Sequence, residues 1–338
     1  MTARRSPLEV EGRKTVSAGQ AIVVALLAMV MAAFLNADSL VASIEGQSFG
    51  TSRSIGLSLA RPTKTISHWT GLNLPRKLID ELAEHQPPRV ALPKPLPLPR
   101  TPPSTSANGA PVSTTTTTVA PRRVPTAQQP LRVWLAGDSL MGTIAESFIE
   151  KTGGNPLFAA GQDFRISTGL ARPDVYDWPA AISREIASAH PDVVILIFGA
   201  NDDQGMQADG HGFALQSPEW QQEYARRVNG ILDSTADGVR QVIWLGLPAV
   251  RRPRLNQTKD YINEILKTAA QKHPNVTYVD PGPILDGAGN SFTTYLTNSS
   301  GTAITVREAD GIHITKAGAD LVTPTLLADI DQVWHLPH

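Results

Sequence analysis

Four short blocks of this sequence hold the residue types that acyl-transfer chemistry needs. They are Gly137-Asp138-Ser139-Leu140, Ser167-Thr168-Gly169-Leu170, Gly199-Ala200-Asn201-Asp202 and Asp310-Gly311-Ile312-His313. A serine hydroxyl is a weak nucleophile until a base within hydrogen-bond reach takes its proton. His313 is the base on offer for Ser139. Asp310 lies three residues earlier, and on a tight turn that spacing lets its carboxylate reach Nδ1 while Nε2 faces the serine. The negative oxygen that develops on an attacked carbonyl needs two or three donors. The candidates are the Ser139 N–H, the Gly169 N–H and the side-chain amide of Asn201. Glycine at 169 allows close backbone approach. Taken alone, each block reads as a turn or a helix cap. The chemistry depends on all four meeting in one place.

The elements around the blocks say where they meet. LRVWLA (131–136), DFRIST (163–168), PDVVILIF (191–198), RQVIWLGL (240–247) and NVTYVD (275–280) read as strands. Helices are expected over 141–151, 179–190, from Pro218 to about 234 with Ser217 as cap, over 256–273 and over 315–333. Strands alternating with helices imply a three-layer α/β/α fold around a five-stranded parallel sheet. In such sheets ligands sit beyond the carboxyl ends of the strands. Three blocks follow strands one to three and the fourth precedes the last helix, so all four fall at that rim.

With these blocks in these positions, residues 131–336 resemble the GDSL, or SGNH, hydrolase superfamily, named for the Ser, Gly, Asn and His of its four blocks. The stretches TGLARPDVYDWP (168–179) and GLPAVRRPRL (246–255) further resemble an exported, membrane-anchored branch known only as a domain of unknown function. The resemblance implies a flavodoxin-like sheet and a serine esterase working through an acyl-enzyme. It implies Ser139, Asp310 and His313 as catalytic residues and Ser139, Gly169 and Asn201 as the oxyanion hole, with no cofactor. Relatives of this architecture include O-acetyl esterases and O-acyltransferases of cell-wall polysaccharides. The leading expectation is therefore an extracytoplasmic esterase acting on O-acyl, chiefly acetyl, esters of cell-envelope glycans. Transfer of the acyl group to an envelope polysaccharide is the alternative, and a tethered glycan-binding module without catalysis is a third. A freely secreted lipase fits less well, because the chain carries an apolar anchor and no long apolar lid.

Other residues near the rim are candidates for holding substrate. Trp178 is placed to stack on a sugar ring or to pack inward. His211 falls in the loop after the third block. Arg251 and Arg252, with Arg254, follow the fourth strand and could meet an anionic or sugar group. Residues 291–307 alternate like a hairpin around 298–301, just before the Asp310–His313 turn. Gly46-Gln47-Ser48-Phe49-Gly50 matches G-x-S-x-G, but that motif works only at a strand–turn–helix elbow, and no sheet is expected around it. No His or carboxylate cluster has metal-ligand spacing, and no glycine-rich phosphate loop with its lysine is present.

Composition bounds the rest. The chain has 338 residues, 18% of them charged, and no cysteine, which removes thiolate catalysis and Cys-based metal sites. Residues 1–130 carry 14 Lys and Arg against 7 Asp and Glu, whereas residues 131–338 carry 16 against 24. An acidic globular part argues against nucleic acid as its ligand. The apolar run 18–35 would span about 27 Å as a helix, close to the ~30 Å of a bilayer core. Arg4, Arg5, Arg13 and Lys14 precede it, so the N-terminus is expected in the cytoplasm and the rest outside. A cleaved signal peptide is the competing reading, but the run is long and lacks a good small-x-small site. The expected organisation is a basic tail (1–17), a signal anchor (18–35), a membrane-proximal stub (36–86) with a short amphipathic helix near 77–85, a disordered Pro/Thr-rich linker (87–130) holding 12 of the 27 prolines, and the hydrolase-like domain (131–338).

Overall fold

The computed structural model describes residues 17–45, 51–74, 90–93, 123–236, 238–298 and 300–337. The tail, the helix expected near 77–85, the G-x-S-x-G match and most of the Pro/Thr-rich stretch lie outside the described residues. The chain forms two units, one up to His85 and one from Gln86 onward.

The first unit is helical. Helix α1 (Ala18–Leu35) opens on a capping box, in which the Ser17 hydroxyl accepts the Gln20 N–H and the Gln20 side chain accepts the Ser17 N–H. It carries no charge, and none of its residues is buried. Its length and composition suit a membrane span or a signal sequence. Two helices follow that the sequence reading did not anticipate, α2 (Ala37–Glu45) and α3 (Thr51–Thr70). They pack through Val41, Leu57 and Ala60. Asp38 on α2 pairs with Lys64 at 2.9 Å and His68 at 2.8 Å on α3.

The second unit is built on a parallel sheet of order β2-β1-β3-β6-β7. Its strands are β1 (Leu131–Gly137), β2 (Phe158–Phe164), β3 (Val193–Ile197), β6 (Gln241–Leu245) and β7 (Val276–Val279). Between them run α4 (Met141–Thr152), α5 (Trp178–Ala189), α6 (Pro218–Thr235) and α7 (Pro253–Lys272). Beyond β7 come the single turn α8 (Gly282–Leu285) and the closing helix α9 (Lys316–Trp334). The chain steps from β1 outward to β2, then crosses back to β3 and continues the other way. Right-handed crossovers therefore put α4 on one face, where α9 packs on it, and α5, α6 and α7 in a row on the other. Strands β3 and β6 are buried along their whole length, as the runs VVILI and QVIWL require of central parallel strands. The reversal of strand order falls between β1 and β3, where a crevice opens at the carboxyl rim.

Side chains fix the helix starts. Asp177, Ser217 and Thr315 accept the N–H groups of Ala180, Trp220 and Gly318, and proline occupies the first turn of α5 and α6. Two antiparallel hairpins flank the rim: β4 (Met206–Ala208) with β5 (His211–Phe213), and β8 (Tyr295–Thr297) with β9 (Ala303–Thr305). The second is the hairpin expected around 298–301.

One strand lies elsewhere than expected. The second strand is residues 158–164, not 163–168. It is an edge strand, so FAAGQDF is only half-buried and lacks the continuous apolar run of a central strand. Its outer side is met by residues 90–93. The Val90 and Gln162 N–H groups exchange bonds with each other's carbonyls at 3.1 and 2.7 Å, and Leu92 is buried. Glycine at 161 makes this possible, since a Cβ there would lie 2.6 Å from the Val90 carbonyl oxygen. Four residues inside the Pro-rich stretch thus dock on the sheet edge, which hides part of it from strange strands.

Candidate active site

Strand β1 ends at Gly137, where a Cβ would come 2.2 Å from the Ile197 carbonyl oxygen at the end of β3. This close approach carries the chain into a turn directly ahead of α4, with Ser139 half-buried at its apex. The Ser139 Oγ lies 2.7 Å from His313 Nε2, and His313 Nδ1 lies 2.5 Å from Asp310 Oδ2. A carboxylate at Nδ1 makes that nitrogen the protonated one, so Nε2 is left to accept the serine hydroxyl.

The turn that carries His313 is itself tightly held. Asp310 Oδ1 accepts the N–H groups of Ile312 (2.8 Å) and His313 (3.0 Å), which leaves Oδ2 for the ring. Burial alone would raise the Asp310 carboxyl, but the ring and the two N–H groups more than offset it and hold it below its usual value. Gly311 has a φ of 74°, open to glycine at no steric penalty, and a Cβ there would meet the Arg251 Cβ at 2.5 Å. The Thr143 hydroxyl on α4 donates to the Ile314 carbonyl at 2.9 Å, tying the histidine turn to the helix that follows the serine.

The second and third blocks meet the first through two buried carboxylates. Asp138 accepts the Leu140 N–H at 2.9 Å on one oxygen, and the Gly199 and Ala200 N–H groups at 2.7 and 2.8 Å on the other. Burial pushes its carboxyl up, to about 7, against the pull of the Leu140 N–H and with a further push from Asp202. Asp202 accepts the Leu170 N–H (3.0 Å), the Ala171 N–H (2.9 Å) and the Tyr224 hydroxyl (2.9 Å). Burial raises its carboxyl as well. The Asn201 Nδ2 donates one hydrogen to the Thr168 carbonyl at 2.8 Å and keeps its second. Among the described residues, no group accepts the Ser139 or the Gly169 N–H. Gly169 is bound to be glycine, because a Cβ would sit 2.2 Å from Asp202 Oδ1. The blocks that hold Ser139, Gly169 and Asn201 are therefore linked to one another, and His313 reaches them through the serine.

One expected role is corrected, and the structure places the other rim candidates. Trp178 is fully buried, so it cannot stack on a sugar. The Asp177 cap and Pro179 set the first turn of α5 so that Trp178 points onto the sheet, edge-on to Phe198 at 5.0 Å. Its indole N–H donates to the Thr168 hydroxyl at 3.0 Å, beneath the residue that holds Asn201. Replacing Trp178 by Phe is expected to keep the fold and lower kcat about tenfold, by loosening Thr168 and with it Asn201. Unchanged steady-state turnover would show that this bond does not matter. His211 is exposed on β5. The residues between it and β4 are Asp209 and Gly210, both at positive φ, a two-residue hairpin turn that the Asp-Gly pair signals. Arg251 and Arg252 brace the rim. The Arg251 guanidinium donates to the Ala309 carbonyl at 2.8 Å and lies over Phe292. Arg252 donates to the Ala200 carbonyl and to Asp203 Oδ1, and Arg254 to Asp203 Oδ2. These bonds hold the turns of His313 and Asn201.

The sequence reading missed Asp138 and Asp202 as working residues. The signal was present: each is a carboxylate set within a few residues of the end of an apolar strand, where burial demands partners.

Fold and site together define a doubly wound α/β protein with a Ser–His–Asp hydrogen-bonded chain at the carboxyl rim of its sheet. Residues 132–329, more than half of the chain, match the family described as "Protein of unknown function (DUF459)", and the chain belongs to that family. A search of curated proteins gives no match. Among solved structures the second unit is similar to an α/β hydrolase enzyme, LAE5, from the metagenome of Lake Arreo. That match has 17% identity and a TM-score of 0.42, and covers 58% of this chain and 93% of the other. It is also similar to a catalytic mutant of the acetylxylan esterase Axe2 from Geobacillus stearothermophilus (14% identity, 61% and 96% covered, TM-score 0.41). A third is a GDSL-like lipase from Bacteroides thetaiotaomicron (14% identity, 62% and 92% covered, TM-score 0.41).

Proposed function

We propose that this protein is a serine ester hydrolase that acts through an acyl-enzyme on O-acyl, chiefly acetyl, esters of cell-envelope glycans. The observation that carries the reading is the unbroken chain Asp310–His313–Ser139, at 2.5 and 2.7 Å. Ser139 Oγ attacks the ester carbonyl while His313 Nε2 takes its proton, and Asp310 holds the imidazolium that forms. The Ser139 and Gly169 N–H groups and the second Asn201 Nδ2 hydrogen face the developing oxyanion. Collapse expels the alcohol, which receives the proton from His313. Water, deprotonated by the same Nε2, then attacks the acyl-enzyme and releases the acid and the serine.

Two features support the glycan and the location. A cavity of about 390 Å³ adjoins Gly169. Tyr176 gives it an aromatic wall, Asp177 and Asp209 give it carboxylates, and Arg226 and Arg227, paired with Glu223, give it guanidinium groups, a lining suited to the hydroxyls of a sugar ring. The exposed apolar α1 would hold the site outside the membrane, on the face where envelope glycans lie.

The test is release of acetate from an acetylated glycan by the whole chain in detergent. No release from any acyl ester overturns the proposal. Gly230 lines the cavity on α6, and nothing lies within 4 Å of where its Cβ would be. Gly230→Leu is therefore expected to fill the cavity without strain. It should raise KM for the glycan ester about tenfold, equal to ~1.4 kcal/mol, and leave turnover of a small acetyl ester unchanged. Equal effects on both esters would remove the cavity from the alcohol site.

A further inference from the structure

Helix α3 has two opposite faces. One packs on α2 through Leu57 and Ala60, with Lys64 and His68 on Asp38. On the other, Ile55, Leu59, Pro62, Ile66 and Trp69 follow one another at steps of four, three, four and three residues, which sets them in a line down the helix. Ile55 is 58% exposed, Leu59 69%, Ile66 48% and Trp69 88%. We propose that α3 lies along the membrane surface at the C-terminal end of α1, with Ile55, Leu59, Ile66 and Trp69 sunk in the boundary between headgroups and acyl chains.

The occupant of this stripe follows from what it joins. The Ser67 hydroxyl donates to the Phe34 carbonyl at 2.6 Å, so the Trp69 end of the stripe lies beside the last turn of α1. The apolar surface of α1 is exposed from Ala18 to Ala32 and half-buried over Ala33, Phe34 and Leu35, so it ends at the level of Ile66 and Trp69. Tryptophan is the residue that favours this depth. Four of the polar residues flanking the stripe are hydroxyls satisfied within the helix. Ser58, Thr63, Thr65 and Thr70 donate to the carbonyls of Ile55, Leu59, Arg61 and Ile66 at 2.7–3.1 Å. Groups bonded in this way lose little when water is replaced by lipid. The charged residues of α3 lie off the stripe, the division expected of a helix in the interfacial plane. The same spacing also suits helix pairing, but the seam covers only about two heptads, short for a coiled coil.

The chain contains no cysteine, and Trp69 is the only tryptophan before residue 134, which makes the test clean. The full chain is reconstituted into phosphatidylcholine vesicles with a minor share of phosphatidylglycerol, and flotation is checked. The emission of Trp69 is the difference between the native protein and Trp69→Phe. It is expected to be quenched by lipids brominated near the glycerol end of the acyl chain and shielded from acrylamide. Emission open to acrylamide and untouched by brominated lipid overturns the proposal, as does a chain that fails to float. Shielding from both quenchers, together with a disulfide between copies of the Leu59→Cys protein, overturns it in favour of a second copy of the chain.

Discussion

Replacing Ser139 by Ala is expected to lower ester turnover by about 10⁴–10⁶-fold, the range seen when a triad nucleophile is lost. The fold should be unaffected. Ser139 is half-buried, among the described residues its side chain bonds only His313, and the turn around it is held by Asp138. Its unfolding temperature should therefore stay within about 2 °C of the native protein's. His313→Ala should lose activity to a similar degree, and the double replacement should lose no more than either alone, because the two act as one unit. Steady-state acetate release with the three variants, after circular dichroism has shown that they fold, checks this. Turnover that survives in Ser139→Ala would remove Ser139 as the nucleophile and with it the acyl-enzyme on this residue.

The same variant separates hydrolysis from transfer. Both begin with acylation of Ser139, and they differ in whether water or a sugar hydroxyl meets the acyl carbonyl. The native protein given an acetyl donor and an unacetylated glycan should yield acetate as the main product. Acetylated glycan as the main product, abolished in Ser139→Ala, would make the protein a transferase with the same nucleophile.

Much of this architecture was legible in the chain because it is written in short-range patterns. VVILI and QVIWL are too apolar and too short to be anything but central strands, and Ser217-Pro218 announces a helix start. The hydrogen-bonded chain Asp310–His313–Ser139 was legible for a related reason. Asp310 and His313 share one turn, and Ser139 directly follows a strand, so local spacing placed all three at one rim. What the sequence reading lost depends on partners far along the chain. The second strand is an edge, so its polar residues masked it, and its neighbour is residues 90–93, read as part of a linker. The aromatic at 178 faces inward because of a cap at 177 and a core residue at 198. The α2–α3 pair is amphipathic only with respect to each other and to whatever meets the stripe of Ile55, Leu59, Ile66 and Trp69. Asp138 and Asp202 were hidden in plain view, since their value lies in N–H groups roughly thirty to sixty residues away in either direction.

Those two carboxylates should matter more to the unit's stability than Ser139, His313 and Asp310 do. Asp202→Ala removes the acceptor of two backbone N–H groups and one tyrosine hydroxyl, all buried. Each orphaned donor is worth about 1–3 kcal/mol, so a gross loss on the order of 3–9 kcal/mol is expected, a large share of the ~5–15 kcal/mol of a typical domain. Part of it is returned because the buried charge disappears too. The net effect should lower the unfolding temperature by about 10 °C. Asparagine is not a remedy, for its NH₂ would face a donor whichever way the amide is turned. Nor is glutamate, since Oδ1 already lies 2.2 Å from where a Cβ of Gly169 would be. Activity should fall beyond what the loss of stability explains, because Leu170 and Ala171 fix the peptide that follows Gly169. The discriminating experiment adds Tyr224→Phe. In the native background it removes a hydroxyl that is bonded to Asp202 and is destabilising. In the Asp202→Ala background it removes an orphan, so it should be neutral or restore about 1 kcal/mol. A Tyr224→Phe effect of equal size in both backgrounds would mean that Asp202 and Tyr224 are not coupled. The carboxylate would then hold the Gly169 loop through its two backbone bonds alone.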